Sequence, residues 1–151
     1  MSESLEDFSL GIKPKTKGMI HKVGVVGCGA VGQEIVRTVS EYGIDVIFLD
    51  LTDERVNDAF VQIGAQLDET INHWGLTPGE KRAILSRIKG TTDYKDLADC
   101  DLVIEAISSR RKGTSLEIRK EIFKNIEAVV KPDAIISSNI VTLMISDLSS
   151  V

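Results

Sequence analysis

The segment VGVVGCGAVGQEI, residues 23–35, constrains the fold more than any other stretch of the chain. A short apolar run, Lys22–Val26, leads directly into Gly27, Gly29 and Gly32, spaced G-x-G-x-x-G. A helical pattern, Ala30–Tyr42, follows, with Val31, Ile35, Val36 and Val39 at spacings that put them on one face. Strand before and helix after are what turn this spacing into a dinucleotide-binding signal. Gly27 permits the tight turn, Gly29 lets a pyrophosphate approach the backbone, and Gly32 lets the helix close on the strand. The N–H groups of Ala30 and Val31 then face the anion, aided by the helix dipole.

The second constraint is Asp50, eighteen residues after Gly32 at the end of a second apolar run, Asp45–Asp50. A carboxylate there accepts hydrogen bonds from both adenosine ribose hydroxyls and repels a 2′-phosphate, which favours NAD over NADP. Arg55 is the nearby cation that keeps NADP open, and FAD is an option only in principle. The same side chain is also placed to cap the next helix, and the two roles are compatible.

After the second run come a long helical pattern from Asp53 to about Trp74 and a second helix with a capping box, Thr77–Pro78–Gly79–Glu80. Together they predict a helical arm projecting from the domain. Then follow a short strand in IKGTTD and a buried strand over Asp101–Ile107. An amphipathic helix in TSLEIRKEIFKNIEAVV carries Leu116, Ile118, Ile122, Phe123, Ile126 and Val130, and a last strand covers Asp133–Ser138. Strands alternating with helices predict an α/β fold: a doubly wound parallel sheet of the Rossmann type, with the arm after the second strand. The chain of 151 residues is enough for one such domain, 21–151, behind a flexible leader, 1–20.

Composition narrows the partners. A net charge of −5 argues against nucleic-acid binding by bulk electrostatics. No apolar run reaches membrane-spanning length, and the leader does not read as a signal peptide. The two cysteines, Cys28 and Cys100, lack metal or redox spacing, which fits a reducing, cytoplasmic setting without a metal site. A thiol at a helix start, as at Cys28, tends toward a low pKa, although small size within the loop is the simpler reason for it.

KVGVVGCGAVGQEI, the acid in FLD, the arm, LTPGEKRAILSRIKGTTDY, DLVIEAI and AIISSNIVTLMISDL occur in the order seen in 3-hydroxyacyl-CoA dehydrogenases. The chain resembles that family, and within it the bacterial 3-hydroxybutyryl-CoA dehydrogenases, from about residue 20 onward. The resemblance implies an NAD-binding N-terminal domain and a second, helical domain that makes a homodimer. It implies hydride transfer between a 3-hydroxyacyl-CoA and NAD, with a histidine base oriented by a glutamate. That histidine lies on a strand after the SN segment, whereas the histidines here are His21, before the first strand, and His73, in the arm. The expectation is therefore the front part of a longer enzyme, monomeric and inactive by itself. The resemblance places Ala106, Ile107, Arg119 and Asn139 on the cofactor beside the glycine loop and Asp50. The alternative is a non-catalytic dinucleotide-binding or redox-sensing module.

Several positions depart from the family pattern. Ser109 stands where a glutamate beside the nicotinamide ribose is usual. Arg119 replaces a cofactor-contacting lysine. Arg110, Arg111 and Lys112 form a basic loop that is either solvated or near a phosphate. The usual Ser-Asn-Thr-Ser-Ser-Leu reads SNIVTL, so Val141 takes the place of the serine that contacts the substrate oxygen. Thr142 is the remaining catalytic candidate, and only if the loop shifts by one residue. Loss of a donor to a developing oxyanion costs about a hundredfold or more in rate. On the arm, Asp68 and Glu69 stand on the face where the family meets CoA, which leaves Lys81 and Arg82 as candidates for that contact.

Overall fold

The computed structural model describes residues 18–108 and 115–139. Its elements are β1 (Lys22–Val26), α1 (Ala30–Glu41), β2 (Asp45–Leu49), α2 (Asp53–Trp74), α3 (Pro78–Leu85), β3 (Ile88–Thr91), β4 (Leu102–Glu105), α4 (Ser115–Glu127) and β5 (Ile135–Ser138). A 3-10 turn, Tyr94–Leu97, precedes β4. The strands form one sheet in the order β3-β2-β1-β4-β5, all parallel. The chain builds outward from β1 to β3, returns, and continues on the other side with β4. The order therefore reverses between β1 and β4, and a crevice opens there at the carboxyl ends of the strands. This is the doubly wound Rossmann sheet expected from the alternation of elements.

Both faces of the sheet are covered, which is why its strands read as unbroken apolar runs. On one face Val23, Val25, Val46 and Phe48 pack against Val36 of α1 and Ala59, Ile63 and Leu67 of α2. On the other, Val26, Ile47, Leu49 and Val103 pack against Leu97, Cys100 and Ile126. Gly90 lets α2 pack closely over β3, since a Cβ there would lie 2.3 Å from Val56 Cγ1.

Three sequence expectations change. Ala59, Ile63 and Leu67 recur every fourth residue and are buried, so α2 lies on the core through Leu67 rather than projecting along its whole length. Its N-cap is Thr52, whose hydroxyl accepts from Arg55 N at 3.3 Å, and not Asp50. On α1 the buried positions are Gly32, Gln33, Val36 and Ser40, while Val31 is 45% exposed in the first turn. Gly32, not Val31, meets β1, which rotates the buried face by one residue. The capping box of α3 forms as read: Glu80 N donates to Thr77 Oγ1 and Thr77 N donates to Glu80 Oε2. Among the described residues no helix is long and apolar enough to cross a membrane.

Candidate active site

The glycine loop is fixed from both ends. Gly27 N donates to Leu49 O at 2.8 Å, and Gly27 turns with φ +92°, a conformation that L side chains rarely adopt. A Cβ on Gly32 would lie 2.0 Å from Gly27 O, so α1 begins as close to the loop as backbone allows. Gly29 differs from both. Its φ is −75° and a Cβ would meet no protein atom within 4 Å. The protein's own packing therefore does not require glycine at 29, and the space beside it is open.

Gly29 is also the N-cap of α1, with no side-chain cap and no acid in the first turn. The leading N–H groups of Ala30 and Val31 lack intrahelical partners by geometry, and both residues are exposed. An uncapped, open helix start of this kind fits a pyrophosphate.

Asp50 stands beside the loop. Its Oδ2 accepts from Cys28 N at 3.0 Å and its Oδ1 accepts from Leu51 N at 2.7 Å. Arg55, well exposed, places Nη1 3.6 Å from Oδ1. The acid is thus held at the rim with spare lone pairs for ribose hydroxyls, and it keeps the nearest cation occupied. Asp58 and Glu121 add further negative charge to the cleft wall.

These groups border a cleft of about 600 Å³ at the β1–β4 reversal. Gly27, Gly29, Asp50, Ala106 and Ile107, all expected from the sequence, line it. Its apolar wall is formed by Leu51, Ile107, Ile118 and Ile122. Ile118, one of the apolar residues of the amphipathic α4 pattern, is 46% exposed and lines the cleft. Cys28 also departs from expectation. Burial, reinforced by the Asp50 charge, pushes its thiol up to about 12, not down.

Arg119 is not at the cleft lining. It is buried, pairs through Nη1 with Glu105 Oε2, and donates from Nη2 to Ile107 O at 2.7 Å. Glu105 is fully buried and is not among the residues the sequence singles out, although an acid inside the apolar run LVIEAI is a signal for it. Asn139 lies just past β5, its N–H donating to Glu105 O at 2.8 Å. Ser109, Arg110, Arg111, Lys112, Ile140, Val141 and Thr142 lie outside the described residues. His73 bonds the Glu69 carbonyl on the arm, and His21 sits at the amino end of β1 beside Asp101, away from the cleft. Among the described residues no cluster of His, Cys, Asp or Glu could hold a metal ion.

Residues 22–151 match the family model for the 3-hydroxyacyl-CoA dehydrogenase NAD-binding domain. The chain belongs to that family. It is 33% identical over 132 residues to a 3-hydroxybutyryl-CoA dehydrogenase of Bradyrhizobium diazoefficiens, covering 87% of this chain and 43% of the relative. The crystal structure of (S)-3-hydroxybutyryl-CoA dehydrogenase from Ralstonia eutropha superposes with a TM-score of 0.77 at 32% identity, over 87% of this chain and 45% of that one. The enzyme of the same kind from Escherichia coli K12 gives 0.80 at 29% identity, over 87% and 27%. The chain thus spans less than half the length of these relatives. NAD is the family's cofactor, and the open Gly29 cradle, the uncapped start of α1 and Asp50 fit it.

Proposed function

We propose that this chain is the cofactor half of an oxidoreductase that interconverts a short-chain 3-hydroxyacyl-CoA, such as 3-hydroxybutyryl-CoA, and the 3-oxoacyl-CoA by hydride transfer. The observation that carries the reading is the link between Asp50 and the glycine loop at the rim of a cleft on the β1–β4 reversal, in a chain whose relatives include 3-hydroxybutyryl-CoA dehydrogenases. NAD, when bound, supplies the hydride acceptor. The protein's part is to bind the pyrophosphate at Gly29–Val31, to read the ribose with Asp50, and to shield the adenine between Leu51 and the α4 isoleucines Ile118 and Ile122.

Substrate activation belongs to residues beyond the described site. Val141, where the family pattern has serine, favours a second reading, a dinucleotide-binding module without turnover. One pair of measurements separates them. NADH is titrated against this chain by fluorescence, and acetoacetyl-CoA-dependent NADH oxidation is followed with the product of the complete reading frame. Binding and oxidation together support the dehydrogenase; binding without oxidation in the complete product supports the module; no NADH binding overturns both.

A further inference from the structure

The Glu105–Arg119 pair is a buried ion pair with several further hydrogen bonds, and the cofactor site as described does not use it. Three segments meet on it: the end of β4, α4 and the end of β5. Glu105 Oε1 accepts from Ile107 N at 2.6 Å, and Arg119 Nη2 donates to Ile107 O at 2.7 Å, so the pair grips both backbone groups of one residue. Glu105 Oε2 takes Arg119 Nη1 and also the hydroxyl of Ser138, at 2.5 Å, at the end of β5. The backbone carbonyl of Glu105 accepts from Asn139 N.

What the pair grips is the far wall of the crevice. Ile107 packs on the turn of the glycine loop, since a Cβ at Gly27 would lie 3.1–3.2 Å from its atoms. Ile107 and Ser108 line the cleft across from Asp50. A dinucleotide on a doubly wound sheet crosses the reversal, one nucleoside on each side of the helix start. Asp50 takes the adenosine side at β2. The other nucleoside then falls at the ends of β4 and β5, where Ile107, Ser108 and Asn139 stand.

We propose that Glu105, Arg119 and Ser138 are positioning residues for the nicotinamide-riboside half of the cofactor. They act through the backbone of Ile107 and the start of the segment at Asn139, and they leave the adenosine half alone. This rests on the NAD site as assigned above. It also reverses the sense of position 119: its cation works inward, by shaping the wall, and does not reach the cofactor. Guanidinium is required because a single group must meet a carboxylate and a carbonyl in fixed directions, which a lysine ammonium does not match.

The test compares two ligands by calorimetry on the full chain. NADH occupies both halves of the site; ADP carries the adenosine and pyrophosphate only. In Arg119→Lys the affinity for NADH falls tenfold or more while that for ADP stays within twofold. Ser138→Ala, which leaves the ion pair in place, shows the same selective loss, smaller but at least threefold. Equal losses for the two ligands, or unchanged NADH affinity, would overturn the proposal by showing the pair to be structural only. Should Arg119→Lys fail to fold, the ratio in Ser138→Ala decides alone. Failure of the unsubstituted chain to bind either ligand would sink the site assignment itself, an outcome distinct from any change in the ratio.

Discussion

Asp50 Oδ2 accepts a 3.0 Å hydrogen bond from the backbone N–H of Cys28, which ties the acid that ends β2 to the loop that ends β1. The carboxylate therefore braces the loop from the same position in which, on the function proposed above, it meets the ribose. Replacing Asp50 with alanine removes the ribose acceptor and frees Arg55, whose Nη1 now lies 3.6 Å from Oδ1. Hydrogen bonds to a charged group contribute about 1.5–3 kcal/mol, equivalent to roughly a tenfold to hundredfold weaker NADH affinity. NADPH affinity is expected to fall less or to rise, because repulsion is gone and a cation is available. Parallel fluorescence titrations with both cofactors check this; equal losses for the two would count against Asp50 as the discriminating group.

Gly29 and Gly32 are predicted to fail in opposite ways. An added methyl at 32 would sit 2.0 Å from Gly27 O, and backbone cannot yield as a side chain can. Gly32→Ala should lose about 1–3 kcal/mol of stability, or more. An added methyl at 29 meets nothing, so Gly29→Ala should lose no more than the roughly 1 kcal/mol that alanine costs at an N-cap. It should still bind NADH at least tenfold more weakly, since the methyl occupies the path of the pyrophosphate. Chemical denaturation and NADH titration of both variants separate fold from ligand. A Gly29→Ala protein that binds normally would remove the anion from α1.

The contrast between these glycines and Glu105 explains what the sequence could disclose. The glycine turn, the strand–helix alternation and the capping box of α3 are local: each residue acts on neighbours within a few positions, so spacing alone reveals it. Glu105 acquires meaning from Arg119 and Ser138, fourteen and thirty-three positions away, and only the sheet order brings them together. Ile118 shows the same limit. Its helical spacing is that of a core residue, but the wall of a cleft and the wall of a core have one periodicity. Val31 shares the helical spacing of buried residues for the same reason, but the close approach of Gly32 sets the rotation of α1.

At the opposite end of the sheet Asp101 organises the strand starts. It accepts from His21 N at 2.8 Å, from Lys22 N at 3.0 Å and from the Lys131 ammonium. Burial alone would raise its pKa, but the Lys131 hydrogen bond, the two backbone N–H groups and the Lys131 charge outweigh it and hold the carboxyl down to about 2. A folded pKa below the unfolded value means stability that is complete above about pH 4 and is lost as pH falls toward 2. The contribution is on the order of 1 kcal/mol after allowance for solvent screening. Asp101→Asn should therefore lower stability at pH 7 and flatten its decline between pH 4 and 2. Urea denaturation across that range measures both. A variant whose stability keeps the parent's slope would assign the acid sensitivity elsewhere.

Cys28 decides whether the loop itself can sense redox state. Burial first, and the Asp50 charge second, push its thiol to about 12, and Cys100 is likewise raised to about 11, chiefly by burial. Thiolate is the reacting form, so against an ordinary thiol of pKa about 8.5 the reactive fraction of Cys28 at pH 8 is lower by roughly a thousandfold. The side chain is also only 4% exposed. Iodoacetamide at pH 8 should leave Cys28 and Cys100 unlabelled in the folded chain over a time that labels both completely in urea, as read by mass spectrometry. NADH should slow Cys28 labelling further, because a ligand seated against Gly29 would cover the open space beside that residue. Rapid labelling of Cys28 in the folded chain would instead support thiol-based sensing by this module. Slow labelling leaves cofactor binding as the loop's function.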